Sequence, residues 1–164
     1  MGISTITGTM QYLTFKLGEE VFALDVNVVR EILDFTRITK VPQTPEFMRG
    51  VINLRGSVVP VVDMRLKFGM SATEQTVNTC IVVVEVSLGS EQTILGALVD
   101  SVQEVFELEP DSIEPAPKIG TRLRTDFIRG MGKRDGQFIM ILDIDRIFSG
   151  EELEIAQKMG DDVE

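Results

Sequence analysis

The chain has 164 residues, 26 acidic against 16 basic for a formal net charge of −10, and 43% of it is hydrophobic. That length and apolar fraction suit one compact domain or two very small ones, and the acidic balance argues against broad phosphate-backbone binding, which needs a basic face. With no His and a single Cys, the commonest acid–base catalyst and the commonest nitrogen ligand for zinc, iron or copper are missing, so neither a metal nor another cofactor is expected.

The first nine residues, "MGISTITGT", lack the basic region and apolar stretch of a secretory signal, and Ile6 misses the myristoylation pattern. No apolar run approaches the roughly 18 residues that span a bilayer. The expectation is a soluble, cytoplasmic protein with no nucleic-acid partner and no membrane insertion. "QYLTFKL" and "EVFALDV" then read as strands flanking Gly18. "VNVVREIL" puts Val28, Val29, Ile32 and Leu33 on one stripe at helical spacing and predicts a short helix. "RITKV" can add a fifth strand to "VINL" and "SVVPVV", which flank Arg55-Gly56. Pro60 cannot donate to a ladder, which places its strand at an edge or a bulge. Asp63 stands at the N-cap position of the helical turn "MRLKF".

In the second half, "TCIVVVEV", "QTILGALV", "VQEVFEL", "FIRGMG" and "QFIMILDI" read as five more strands. Cys80 falls in the first of them as a small apolar core residue, since there is no His to activate it. Asp143 repeats the capping position of Asp63. Ser149 and Glu152 form a capping box, and Leu153, Ala156 and Met159 form an apolar stripe that ends at Gly160, so a helix is predicted over 149–160 with an acidic tail at 161–164. Many short strands with Gly and Pro at the joins make an all-β chain of small barrels or sandwiches.

Residues 46–68 align with 126–148 at a constant offset of 80, with Phe47, Arg49, Gly50, Gly56, Asp63 and Phe68 falling on Phe127, Arg129, Gly130, Gly136, Asp143 and Phe148. A weaker echo pairs "VVREIL" with "SVQEVF" at an offset of 73. Two related units fused in one chain follow from this. The repeat also bears on "GVINLRGSVVPVVD", where a phosphate loop is one reading. No Lys precedes Ser57 and a strand rather than a helix follows. Arg55-Gly56 instead aligns with Asp135-Gly136, a favoured type I′ hairpin dipeptide. Arg is an unusual choice at such a turn and invites a partner. Paired carboxylates are the remaining route to catalysis, with Asp63 and Asp143 as candidates, although both stand where caps belong.

The stretches "LTFKLGEEVFALDVNVVREIL", "ITKVPQTPEFMRGVINLRGSVVPVVDMRLKFG", "GALVDSVQEVFEL", "PAP" and "FIRGMG" together resemble the CheW family of bacterial chemotaxis coupling proteins. "MRGVINLRGSVVPVVDMRLKF" is the most specific part. The resemblance implies a CheW-like domain over 8–150, made of two five-stranded SH3-like β-barrels, the first at 8–69 and the second at 76–148, with short connecting helices. The C-terminal helix would pack on the first barrel. It implies no catalytic activity and a scaffold role, coupling the cytoplasmic tip of chemoreceptors (methyl-accepting chemotaxis proteins) to the regulatory domain of the histidine kinase CheA. The protein would then sit in receptor arrays at the inner face of the membrane. By the same resemblance Glu31 and Arg55 form an ion pair, Val28, Val29, Ile32, Gly50 and Val99 line a receptor groove, and Pro115, Pro117 and Ile119 contribute a kinase or ring contact. Glu114 stands where the family has a basic residue, and Ile119 where it has an aromatic one. The alternatives are a coupling protein of a non-flagellar array, serving pilus motility or gene regulation, and a carboxylate enzyme built on Asp63 or Asp143.

Overall fold

The computed structural model describes residues 10–88, 90–115, 127–134 and 136–162. Its strands are β1 (Met10–Leu17), β2 (Glu20–Asp25), β3 (Val29–Asp34), β4 (Met48–Leu54), β5 (Ser57–Asp63), β6 (Cys80–Leu88), β7 (Glu91–Val99), β8 (Ser101–Leu108), β9 (Ile128–Arg134) and β10 (Gln137–Leu142). Three helices accompany them: α1 (Met64–Lys67), α2 (Ile144–Ile147) and α3 (Gly150–Asp162). One sheet has the order β8-β1-β2-β10-β9 and the other β3-β6-β7-β5-β4. The chain is thus all-β with two five-stranded SH3-like units, as the sequence predicts.

The near-continuous apolar strands have a simple cause. Successive side chains of a strand point to opposite faces, and here both faces are buried. On β6, Ile81 and Val83 enter the interior of their own barrel with Ile52, Val59, Val61 and Leu98. Val82, Val84 and Val86 enter a second core that lies between the two sheets. In the other barrel Tyr12, Val21, Ala23, Phe106, Ile139 and Ile141 fill the interior, while Leu13, Phe15, Leu17, Phe22 and Leu24 face the shared core. Rings step across it, Phe15 to Phe22 at 5.8 Å, Phe22 to Phe68 at 5.6 Å and Phe68 to Phe127 at 6.0 Å between centroids. The shared core makes the two barrels one body.

The sheets do not follow the contiguous halves expected at 8–69 and 76–148. Each barrel takes its first hairpin from one repeat and its remaining three strands from the other: β1-β2 pair with β8, β9 and β10, and β6-β7 with β3, β4 and β5. The joins explain the exchange. A 3₁₀ turn at Val26–Val28 carries the chain from β2 directly into β3 of the other sheet, and Asp100 alone separates β7 from β8. Sequence similarity identifies corresponding strands, whereas pairing is decided by which free edge the next strand reaches.

Three local expectations also change. The helix predicted over "VNVVREIL" is the 3₁₀ turn followed by β3, because β6 offers a ladder (Ile32 opposite Val82, Leu33 opposite Ile81) to a segment rich in β-branched residues. "RITKV" supplies a single bridge, Thr39 to Val51, rather than a strand. Pro60 lies on an interior strand, between β4 and β7, rather than at an edge, although the alternative expectation of a bulge is met, since β4 shifts register between Met48 and Gly50 opposite Val62 and Val61. The proline is tolerated because Val51, directly opposite, donates its N–H to Thr39 and accepts from Thr39 N–H, both at 2.8 Å, so nothing there requires a donor from Pro60.

The repeat is visible in geometry. Asp63 N donates to the Phe47 carbonyl at 2.7 Å and Asp143 N to the Phe127 carbonyl at 2.9 Å. Thr39 bridges to Val51 and Glu114 to Met131, each beside the repeated glycine. A Cβ on Gly50 would stand 2.1 Å from the Thr39 carbonyl oxygen, and one on Gly130 would stand 2.5 Å from Ile113 Cγ2. Gly50 and Gly130 therefore recur because a second segment crosses the hairpin there.

The capping box forms as expected: Glu152 N donates to Ser149 Oγ at 3.1 Å and Ser149 N to Glu152 Oε1 at 2.9 Å. α3 lies on β4, β5 and β7 and buries Leu153, Ala156 and Met159 in the shared core. It therefore docks on the first repeat's β4-β5 hairpin, in the barrel that this hairpin shares with β6 and β7. The helix runs past the predicted stop at Gly160 to Asp162, with Met159 pinning its last turn in the core.

Candidate functional site

The β4–β5 turn has positive φ at both central residues, +52° at Arg55 and +89° at Gly56. This is the left-handed pair that suits the twist of a two-residue hairpin, and Arg55 carries a side chain into a region that favours glycine. Asn53 Oδ1 steadies the turn by accepting from Gly56 N at 3.0 Å. The Asp135 side of the corresponding turn lies outside the described residues; Gly136 has φ +80°.

From that turn Arg55 reaches β3, and its Nη2 donates to both Glu31 oxygens at 2.6 and 3.0 Å. The pairing implied by the resemblance is therefore present in the geometry. Both groups are open to solvent, with side chains 71% and 27% exposed. The hydrogen bond from Arg55 holds the Glu31 carboxyl below its usual pKa, against a weaker opposing effect of burial, and the same bond raises Arg55. A contact this exposed adds little to stability. Its consequence is positional, tying edge strand β3 to the β4–β5 turn.

The β3–β6 ladder shifts register between Val29 and Glu31, so Arg30 is an extra residue and turns toward the same hollow as Glu31. Arg30 Nε donates to Glu85 Oε1 at 2.9 Å, which fixes it on β6. Together Arg30, Glu31 and Arg55 rim an open cavity of about 600 Å³ with a floor of Leu54, Val58, Val59, Val83 and Ile94. An apolar floor with a charged rim suits an amphipathic segment of another protein, whose apolar side chains enter while its polar ones pair at the edge.

The other expected groove residues divide. Val28 and Val29 are half-buried against the shared core, and Ile32 is 45% exposed. Because of the bulge at Arg30, Val29 and Ile32 stand opposite Val84 and Val82 on the shared-core face of the sheet, whereas Glu31 and Leu33 stand opposite Val83 and Ile81 on the face of the barrel interior. The single helical stripe is therefore replaced by two strand faces. Gly50 is buried under Thr39, and Val99 is fully buried in the shared core, so neither can line a surface groove. Val99 is inward because β7 is interior to its sheet and covered on both faces. Pro115 is exposed beside the Glu114–Met131 bridge; Pro117 and Ile119 lie outside the described residues.

Asp63 and Asp143 are both caps. Asp63, fully buried, accepts from Arg65 N and Leu66 N, from Thr73 N and Oγ1, and from Arg49 Nη1 at 2.8 Å. Asp143 accepts from Asp145 N at 3.2 Å and lies 3.4 Å from Arg146. They stand at the ends of strands in different sheets and share no pocket among the described residues. Among the described residues no cluster of three or more His, Cys, Asp or Glu could hold a metal ion. No helix there is long and apolar enough to cross a membrane.

Two polar arrangements escaped the sequence reading. Arg65 Nη1 and Gly18 N both donate to Asp100 Oδ2 at 2.6 Å, tying the β1–β2 turn to α1. Lys67 pairs with Glu152 at 2.8 Å and stands over Phe47, Phe148 and Phe127 at 4.7, 5.6 and 5.8 Å from their centroids. This second arrangement had a signal, since the repeat aligns Lys67 with Ile147, a charge where the twin has a core residue.

The family model for the CheW-like domain matches residues 11–152. The chemotaxis protein CheW of Klebsiella aerogenes is 33% identical over 149 residues, covering 91% of this chain and 87% of that one. The chemotaxis protein CheW of Rhizobium meliloti is 35% identical, covering 91% and 94%. Protein PilI of Pseudomonas aeruginosa is 25% identical over 127 residues, covering 77% and 68%. The crystal structure of the scaffolding protein TtCheW from Thermoanaerobacter tengcongensis superposes with a TM-score of 0.77 at 36% identity, covering 87% of this chain and 90% of that one.

Proposed function

Because the chain belongs to the CheW-like domain family, we propose that it is a non-enzymatic scaffold coupling chemoreceptors to the histidine kinase CheA. The observation that carries this reading is the cavity between β3 and the β4–β5 hairpin, apolar below and ion-paired at its rim. It is built to receive a protein segment rather than to transform a small molecule, since the carboxylates best placed by sequence for catalysis are engaged as caps. Val28, Val29 and Ile32 meet the apolar stripe of the receptor tip, with Gly50 and Val99 supporting that surface from behind. Glu31 and Arg55 set the orientation of the bound segment. Pro115 begins the surface that meets the kinase's regulatory domain. The protein works in the cytoplasm, recruited to receptor arrays at the inner face of the membrane. The greater identity to relatives named for chemotaxis than to PilI favours a chemotactic array over a non-flagellar one.

Co-sedimentation with receptor-containing membranes and CheA tests the proposal. Binding to both is expected, and failure to bind either, where a known coupling protein binds both, would sink it. Arg55→Asp should lower kinase activation while leaving the circular dichroism spectrum and Tm in place. Full activation by that variant would remove Arg55 from the mechanism.

A further inference from the structure

The repeat gives both hairpins the same arginine, and the structure uses the two differently. Arg49 is taken up inside its own unit, donating to the buried Asp63 at 2.8 Å and to the Thr73 carbonyl at 3.4 Å. In the second unit Asp143 has Arg146 beside it at 3.4 Å, and Arg129 reaches instead to the end of β2, where its Nη1 lies 4.0 Å from Asp25 Oδ2. The same guanidinium donates a hydrogen bond to the hydroxyl of Tyr12, whose ring is buried inside that barrel. Burial holds the Tyr12 phenol above its usual pKa and outweighs the lowering effect of Arg129, so the phenol stays neutral and the charge of Arg129 is left to Asp25.

Asp25 caps the 3₁₀ turn that crosses from one barrel to the other. Its Oδ1 accepts from Asn27 N at 2.9 Å, and Val29 N closes the turn on the Val26 carbonyl. So short a 3₁₀ turn has poor hydrogen-bond geometry of its own and depends on what caps it. The other join between the barrels is held in the same way, by Arg65 on Asp100 at 2.6 Å. We propose that Arg129 is a positioning residue for receptor binding: through Asp25 it fixes the crossover turn, and so the place where Val28 and Val29 stand. The inference rests on the coupling role proposed above and adds to it a residue that acts through the turn rather than by contact with the receptor. Arg129 is 45% exposed, so replacing it leaves the core intact.

The test compares Arg129→Gln, Arg129→Lys, Asp25→Asn and the double variant Arg129→Gln/Asp25→Asn with the parent, each as the full chain. The readouts are co-sedimentation with receptor-containing membranes, Tm and the amide chemical shift of Asn27. Arg129→Gln should bind receptor membranes about threefold more weakly at unchanged Tm, the scale of an exposed ion pair, and should move the Asn27 signal. Arg129→Lys keeps a charge within reach of Asp25 and should leave binding and signal near those of the parent. Asp25→Asn keeps a capping oxygen without the charge, so it should bind like Arg129→Gln, and the double variant should bind no more weakly than either single one. The inference is overturned if Arg129→Gln binds like the parent or leaves the Asn27 signal in place, if Arg129→Lys binds no better than Arg129→Gln, or if the two losses add. Those outcomes, with a parent that binds, leave the coupling role standing. A parent that binds no receptor membrane overturns the coupling role itself, and the inference with it.

Discussion

The β4–β5 and β9–β10 hairpins share a plan and differ in what they carry. Both keep a glycine beneath a crossing segment, an aspartate that caps a four-residue helix, and a glycine with positive φ in the turn. Only the first binds its aspartate to a buried network, places an Arg in a left-handed turn position, and lies under α3. The repeated residues are those that backbone geometry requires twice. The unrepeated ones mark where a single copy carries a contact or a load from the rest of the molecule.

The largest effect expected from breaking this parallel is at the glycines. Gly50 has φ +144° and faces a carbonyl oxygen on the backbone of Thr39, whereas Gly130 faces the movable end of Ile113. Gly50→Ala should cost about 4 kcal/mol and Gly130→Ala about half that, by the usual scale for severe steric substitutions. Urea denaturation of the two variants measures the gap, and equal losses would mean that the two crossings are equally tight.

Next come the caps. Asp63→Ala removes a buried carboxylate and strands Arg49 and Thr73, at a cost of about 3 kcal/mol, the lower end for a broken buried pair because Arg49 is 34% exposed and can turn to solvent. Asp143→Ala loses one exposed cap, about 1 kcal/mol. Similar midpoints for these variants would show that the Asp63 network contributes no more than a cap.

The smallest effect on stability, and the most useful for function, belongs to the turn. Arg55→Gly relieves a side chain from left-handed backbone while deleting an exposed ion pair, so its Tm should equal or exceed that of the parent. Kinase activation should nevertheless fall. The same variant sharpens a pH test. Glu31 has a folded-state pKa below the ordinary value of 4.5, so the unfolded chain takes up the proton first as pH drops. The contribution of the pair is complete above that ordinary value and is lost as pH falls through the lower folded pKa. Comparing urea midpoints of the parent and Arg55→Gly from neutral pH into that acid range should reveal a Glu31-dependent decline in the parent alone. Parallel declines would mean that Arg55 does not control the titration of Glu31.

The sequence by itself determined the all-β class, the duplication, the hairpin turn at Arg55-Gly56, both aspartate caps and the capping box of α3. Each depends on residues near one another in the chain or on a repeat that alignment exposes. The Glu31–Arg55 partnership was suggested by family resemblance, since 24 residues and two strands separate its members. Only the tertiary structure decided that "VNVVREIL" is a strand, because a short stripe of Val, Ile and Leu fits both periods until β6 supplies a ladder. Only it decided that Val99 and Gly50 face inward, since an apolar residue on a strand buried on both faces looks the same in sequence whichever way it points. It also decided which hairpin completes which barrel. Strand exchange between repeats leaves local sequence patterns unchanged, and the choice rests on the reach of a 3₁₀ turn and of one residue, Asp100, at the joins.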